Sequence, residues 1–215
     1  MDFIGAYSPD NILYLLKGFL VTIEVAVIAI VLSFILACVL AVLRYARIPV
    51  VSQIVAMIVE TIRNLPLLLI IFFVFFALPQ IGIKMGIFTS AIVALTIFEA
   101  AMVSEIIRAG LLSIDKGQIE AARSSGLSYM QTLRYITMPQ ALRRMLPPMV
   151  SQFISLLKDT SLTIIIGLPE LMHSAQIVNG HNSKFMFPTY LFAAFLYFII
   201  NYSLSRFARR LELRS

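Results

Sequence analysis

Apolar residues gather into five long runs, and polar residues fall mainly between them. The first run covers 18–43 and is broken only by Glu24. The second extends from 50 to 78 and contains Glu60, Arg63 and Pro66. The third covers 87–107, with Glu99 and Glu105; the fourth 146–168, with Lys158 and Asp159; the fifth 188–207, with no charge before Arg206. A helix rising 1.5 Å per residue crosses the roughly 30 Å hydrocarbon layer of a bilayer in about 20 residues. The second run is too long for one perpendicular crossing. Pro66 is expected to kink it where it enters the bilayer, with the preceding part near the interface. The predicted fold is all-α and integral to the membrane. It is a single domain over 1–215, with transmembrane helices at approximately 18–43, 55–78, 87–107, 146–168 and 188–207. Residues 11–17 (NILYLLK) read as a short helix lying at the interface. The polar stretch 169–187 reads as a connection whose first half is helical, with His173 and His181 as wet loop residues.

Composition sharpens this picture. Of the 215 residues, 60% are hydrophobic and 13% charged, against about 45–50% and about 25% in ordinary globular domains. Mean hydropathy is +0.94. No single soluble core of this size hides that much apolar surface, which excludes a soluble enzyme. A cleaved signal peptide fits poorly, because the start is acidic and the first run exceeds the usual apolar core of roughly 7–15 residues. One cysteine, Cys38, allows no internal disulfide framework. Two histidines and no CxxC or HExxH give no metal site. No nucleophile and base stand together, so no catalytic residue is assigned.

The net charge of +6 is explained by where the basic residues lie. Arg44 and Arg47 follow the first run. Arg108, Lys116, Arg123, Arg134, Arg143 and Arg144 lie between the third and fourth, and Arg206, Arg209, Arg210 and Arg214 end the chain. The opposite side keeps Lys17, Lys84 and Lys184. The positive-inside rule then places the N-terminus outside and the C-terminus in the cytoplasm. No nucleic-acid partner is needed.

The connection 109–145 is the longest hydrophilic stretch and is dense in helix signals. Asp115 can cap a first helix with Gln118 at the third position, and Gly126 suits the left-handed residue that ends it. Ser128 to Gln131 has capping-box spacing for a second helix, which Met138-Pro139 is expected to bound. The result is a helix–turn–helix exposed at the cytoplasmic face. Spans on either side pin it to the bilayer, which excludes DNA reading. An unstructured linker would not carry so many start and stop signals.

These residues resemble a known family. Glu120-Ala121-Ala122, Gly126, Ile136 and Pro139 match the EAA motif, EAA–x3–G–x9–I–x–LP, of the membrane subunits of ABC importers, with Met138 replacing leucine. GQIEAARSSGLS, MPQALRRMLPPM and LLKDTSL are similar to the permeases for histidine, arginine, glutamine and glutamate. Arg63-Asn64-Leu65-Pro66 resembles their RGTP or RNTP segment, and Glu105 to Arg108 their AYxAExxR segment. The resemblance covers about 18–207. Met102 stands where tyrosine is usual and Leu65 where threonine is usual, which bears on the substrate and not on the class. The resemblance implies a type I ABC importer permease subunit in the bacterial cell membrane, working by alternating access. Glu120, Ala121, Ala122, Gly126 and Leu127 would form a coupling helix seated in a cytoplasmic ATPase. The chain has no GxxxxGK[ST] loop, so ATP and Mg would be bound by that partner and this chain would hold no cofactor. A second permease subunit, identical or homologous, and an extracellular binding protein complete the implied assembly.

The charges within the spans make a separate point. A charge at the bilayer centre costs about 2.5–3.5 kcal/mol on insertion scales, so it faces a partner or a cavity. Glu99, Lys158 and Asp159 fall near the midplane. Two readings stand open. One is internal pairing, Lys158 with Glu99 or Asp159 with Arg63, and Glu105 with Arg108 one turn apart. The other is contact with a zwitterionic amino acid, for which Glu99, Asp159, Thr160 and Ser161 are the candidates, with Arg63 and Met102 outermost. The competing functional class is a proton- or ion-coupled secondary amino-acid transporter, with Glu99 and Asp159 as proton relays. The phenylalanines 72, 73, 75 and 76 read as lipid-facing or packing residues.

Overall fold

A computed structural model of the chain describes residues 1–46 and 48–212. Arg47 and Arg214, used above in the charge distribution, lie outside the described residues. The described residues are helical almost throughout and contain no strand. A short α1 (Phe3–Ala6) precedes α2 (Pro9–Tyr45). Then come α3 (Val51–Asn64), α4 (Leu67–Ile81), α5 (Ile87–Leu112), α6 (Lys116–Ser124), α7 (Tyr129–Ile166), α8 (Leu171–His181) and α9 (Met186–Glu212). α2, α5, α7 and α9 are long and apolar enough to cross a membrane, and α3 with α4, bent by 106° at the break, pass the same test only when taken together, as a broken span or a re-entrant loop. α2 alone is about 55 Å long. It runs unbroken from Pro9, so 11–17 is its first turns and not a separate interfacial helix. With Pro9 at the first position and no breaker after it, the helix has no reason to stop before the apolar run.

The break between α3 and α4 falls at Leu65-Pro66. Leu65 is extended (φ −90°, ψ 144°), as the residue before a proline prefers. α3 is two-sided: Val55 and Val59 are buried, while Ile54, Met57 and Ile58 are exposed.

Packing is chosen by size more than by polarity. Around α2 nearly every residue is apolar, yet most of the buried ones are small, Gly18, Thr22, Ala26, Ala29, Ser33, Ala37 and Ala41, with Leu15 and Val25 the larger exceptions. Leu20, Val27, Val31, Ile35, Val39 and Val42 face outward. In lipid the apolar side chains gain nothing by burial, so close approach of small residues holds helices together. α5 answers with buried Ser90, Ala91, Ala94, Ala100, Ala101 and Ser104. The central cluster joins Val25, Ala29, Ile71, Leu95, Leu156 and Leu168.

Two prolines in the bundle are absorbed by the same device. Residues 73–77 and 133–137 form π-helical turns, and Pro79 and Pro139 each follow two residues after. The amide of the intervening residue donates five residues back, Leu78 to Phe73 and Met138 to Leu133. The wider turn clears the carbonyl that a proline ring would strike. Met138 therefore stays helical (φ −62°, ψ −44°) and does not bound the second loop helix. That helix continues into the fourth span as one element, α7, which also carries Pro147 and Pro148.

Candidate functional sites in the connection and the interior

At the end of the bundle where α5 gives way to α7, α6 stands out as a separate nine-residue helix. Asp115 caps it by accepting from the Gly117 amide at 2.7 Å. Gln118 plays no part in that cap; its carboxamide oxygen accepts from Gln140 at 2.7 Å. Gly126 stops the helix at φ +90°. There Leu127 N–H donates to Ala122 O at 3.2 Å and Gly126 N–H to Arg123 O at 3.0 Å, the paired bonds of a left-handed helix stop. Ser128 and Gln131 then form both halves of a capping box. Glu120, Ala121 and Gly126 are exposed, Leu127 is half-buried, and Ala122 is buried, on a helix that packs against the 129–137 part of α7. The alanine–alanine pair thus divides, one turning outward and one supporting the helix from beneath.

The interior charges fall into three places. In the first, Glu99 is fully buried on α5, and its Oε2 accepts from Gln152 Nε2 of α7 at 3.1 Å. Among the described residues its Oε1 has no hydrogen-bond partner. Half-buried Asp159 lies two turns beyond Gln152 on the same helix. Met102 is half-buried one turn from Glu99. Thr160 is buried beside Asp159 and donates to Leu157 O at 2.8 Å. Ser161 points elsewhere: it donates to Lys158 O at 2.7 Å and, with Lys158, Met172, Tyr190, Ala194 and Tyr197, lines a cavity of about 310 Å³.

The second place is nearer α6. Glu105 accepts from Arg44 of α2 at 2.5 Å and from Arg108 of its own helix, with Nε at 3.0 and 3.1 Å. Exposed Arg63 lies 4.0 Å away. The expected Glu105–Arg108 pair is present. Among the described residues, the alternatives of Lys158 with Glu99 and Asp159 with Arg63 are not formed as ion pairs; Arg63 looks to Glu105 instead. Arg44, counted in the sequence only as a topological charge, is the missed partner. Gln152 was missed too, although its spacing of seven from Asp159 sets both on one face of the fourth span.

The third place, at the opposite end of the bundle, carried no signal in the sequence. Glu170 is fully buried and caps α8, accepting from the amides of His173 at 2.7 Å and Met172 at 2.9 Å. Tyr197 OH of α9 donates to it at 3.1 Å. Burial pushes the carboxyl above its ordinary value, while the amides of Met172 and His173 and the hydroxyls of Tyr197 and Thr22 hold it back. Alongside, Leu171 N–H donates to Thr22 Oγ1 of α2 at 3.2 Å. His173 is half-buried with Nδ1 enclosed and unpartnered in the chain, so it is not the wet loop residue expected. Among the described residues no group of three or more histidine, cysteine, aspartate or glutamate side chains could hold a metal.

Comparison with known proteins agrees with this architecture. Residues 29–215 match the model of the family described as binding-protein-dependent transport system inner membrane component. A probable glutamine ABC transporter permease protein of Bacillus subtilis is 67% identical over all of this chain and 99% of its own length. A glutamate/aspartate import permease protein of Escherichia coli is 33% identical, covering 94% of this chain and 93% of its own. Among solved structures, an amino acid ABC transporter crystallised with histidines has a chain of 29% identity with a TM-score of 0.94, covering 100% and 99%. A methionine ABC transporter in an inward-facing form, 23% identical with a TM-score of 0.73, shares the fold. Relatives of this kind are ABC permeases, not ion-coupled carriers. The all-helical bundle, its several membrane-length apolar helices and its projecting loop helix thus belong to a multi-pass permease subunit of an ABC transporter in the bacterial plasma membrane, and the chain is a member of the family of inner-membrane components of binding-protein-dependent transport systems.

Proposed function

We propose that this chain is the non-catalytic permease of an importer for glutamine or a similar polar amino acid, with its N-terminus outside and its C-terminus in the cytoplasm. Two such subunits, identical or homologous, enclose the pathway, and an extracellular binding protein delivers the substrate. ATP and Mg are bound by separate ATPase subunits, and this chain holds neither. The single-domain reading over 1–215, with the coupling connection at 109–145, belongs to the same proposal.

The observation that carries the reading is the exposure of Glu120 and Ala121 on a capped and stopped helix, with Ala122 buried behind them. A short rigid helix transmits a push that a flexible loop would dissipate. In our reading Glu120, Ala121, Ala122, Gly126 and Leu127 make up the ATPase-coupling element, with Glu120 and Ala121 facing outward and Ala122 supporting them from within. Glu99, Asp159, Thr160 and Met102 belong to the substrate path, whereas Ser161 faces another cavity and Arg63 stands beside Glu105, apart from them. The unpartnered Oε1 of Glu99 supports this, since a buried polar atom without a partner is costly and an α-ammonium would satisfy it.

The test is reconstitution with the ATPase, the second permease copy and the binding protein in vesicles. ATP-dependent accumulation of labelled glutamine is expected. Uptake that follows membrane potential without ATP would overturn the reading.

A further inference from the structure

α6 is joined to its neighbours by two short non-helical connections, 113–115 and 125–128, yet it does not hang free. Gln140, in the first turns of the fourth span, donates to Gln118 Oε1 at 2.7 Å and to Ile136 O at 2.9 Å. One turn on, Arg144 donates to the Ser113 carbonyl and, at 3.2 Å, to Ser113 Oγ. Ser113 follows the last residue of α5, where helix carbonyls lack internal partners and the dipole favours a cation. Beneath these bonds, buried Leu111, Ile114, Ala141 and Met145 form one apolar cluster, with Ile119 and Met138 packed against it. The two spans nearly touch there: a Cβ on Gly110 would sit 2.9 Å from Met145 Cβ.

We propose that Gln140 and Arg144 are positioning residues, Gln140 fastening α6 itself and Arg144 fastening the end of α5 from which α6 hangs, so that α6 and α7 move as one body. The proposal rests on reading α6 as the ATPase-facing handle. The bonds to Gln118 and Ser113 are exposed and so add too little to decide whether the chain folds. Their consequence is angular. They fix where Glu120 stands relative to α7, and a handle that pivots would convert less of the ATPase stroke into movement of the spans.

The experiment uses the whole complex with its ATPase and binding protein, reading both hydrolysis and uptake. Gln140→Ala and Arg144→Ala should leave binding-protein-stimulated hydrolysis within about twofold while substrate carried per ATP falls several-fold, and the swap Gln118→Lys with Gln140→Glu should restore the ratio. Joining Gln118→Cys to Gln140→Cys with a short bis-thiosulfonate linker should leave uptake within about twofold, because the pair keeps its distance through the cycle. Equal loss of hydrolysis and uptake in the alanine variants, or arrest of uptake by the linker while hydrolysis continues, would overturn the proposal. Glu120→Cys should crosslink to the ATPase. If it does not, the handle reading fails first and the brace fails with it.

Discussion

Arg44, in the last turn of α2, and Glu105, sixty-one residues later on α5, share an ion pair of 2.5 Å. The Arg44 side chain is 9% exposed and that of Glu105 19%, so water screens the pair little. One carboxylate holds Arg44 and Arg108 together, with Arg63 at its edge. Glu105→Gln would leave two guanidinium groups facing each other without a counter-charge. Removing one partner of a fully buried pair costs about 3–5 kcal/mol; partial exposure reduces that here to about 2–3 kcal/mol. Thermal unfolding in detergent should show the loss, and Arg44→Gln combined with Glu105→Gln should be less damaging than the sum of the two singles. Additive losses would show that the pair does not couple α2 to α5.

Gly126 is the next point of leverage. Its φ of +90° is one that side chains rarely adopt, although a Cβ there would meet nothing within 4 Å. The penalty is therefore conformational, about 1–2 kcal/mol for alanine or a branched residue and less for asparagine, which visits this region. In our reading Gly126→Val lowers uptake several-fold with insertion intact, and Gly126→Asn retains more of it. The order is checked by uptake in vesicles at matched membrane content. Equal activity of valine and asparagine variants would show that the left-handed stop does not matter.

Gly18 illustrates the opposite case, a glycine required by close approach. A Cβ on it would sit 2.3 Å from Ser174 Oγ and 3.0 Å from Glu170 O. Gly18→Ala should push α8 off α2 and cost about 1–3 kcal/mol, the range for overpacking. Ser174→Gly removes the nearest obstacle, so the double variant should recover much of the loss. Melting temperatures of the four proteins decide this, and a double variant no better than Gly18→Ala would place the strain elsewhere.

How far the sequence reveals this architecture depends on the range over which each signal acts. The runs around Val25, Leu95 and Leu156 are visible because lipid demands continuous apolarity over a span. Pro66 announces its bend, and Asp115, Gly126 and Ser128 announce theirs, because caps and left-handed stops are decided within one turn. Met138-Pro139 misleads for the same reason. The local rule predicts a stop, but the π turn at 133–137 absorbs the proline and lets the helix continue. Arg44 with Glu105, Gln118 with Gln140, and Glu170 with Tyr197 were hidden because each pairs residues from different elements. No spacing rule encodes which faces of two helices will meet. Glu170 was hidden further by its chemistry, since glutamate is not a favoured N-cap.

Burial raises the Glu170 carboxyl above the ordinary 4.5. The folded chain then binds that proton more tightly than the unfolded chain does. This group favours folding below 4.5, and its contribution is lost as pH rises through the raised folded value. Glu170→Gln removes the titration and one acceptor of the α8 cap. The melting temperature of the wild type minus that of the variant should be largest in acid and shrink toward neutral pH. A difference that grows as pH rises would mean the four donors outweigh burial.

Glu99 and Gln152 form the pair on which the proposed substrate path rests most directly. Gln152 satisfies only one oxygen of Glu99, at 3.1 Å, and the other is buried without a partner. Were the carboxyl purely structural, Gln152→Ala would orphan it entirely and destabilise the chain, while Glu99→Gln would restore a neutral hydrogen-bonding pair and cost little. Were Oε1 the acceptor for a substrate ammonium, Glu99→Gln would instead preserve stability and spoil transport, because a charge-assisted bond is replaced by a neutral one roughly half as strong. We expect the second pattern. Glu99→Gln should melt within a few degrees of the wild type, while glutamine uptake falls about 10-fold or more with hydrolysis by the partner ATPase retained. Unchanged uptake in that variant would remove Glu99 from the path and leave its buried charge as packing alone.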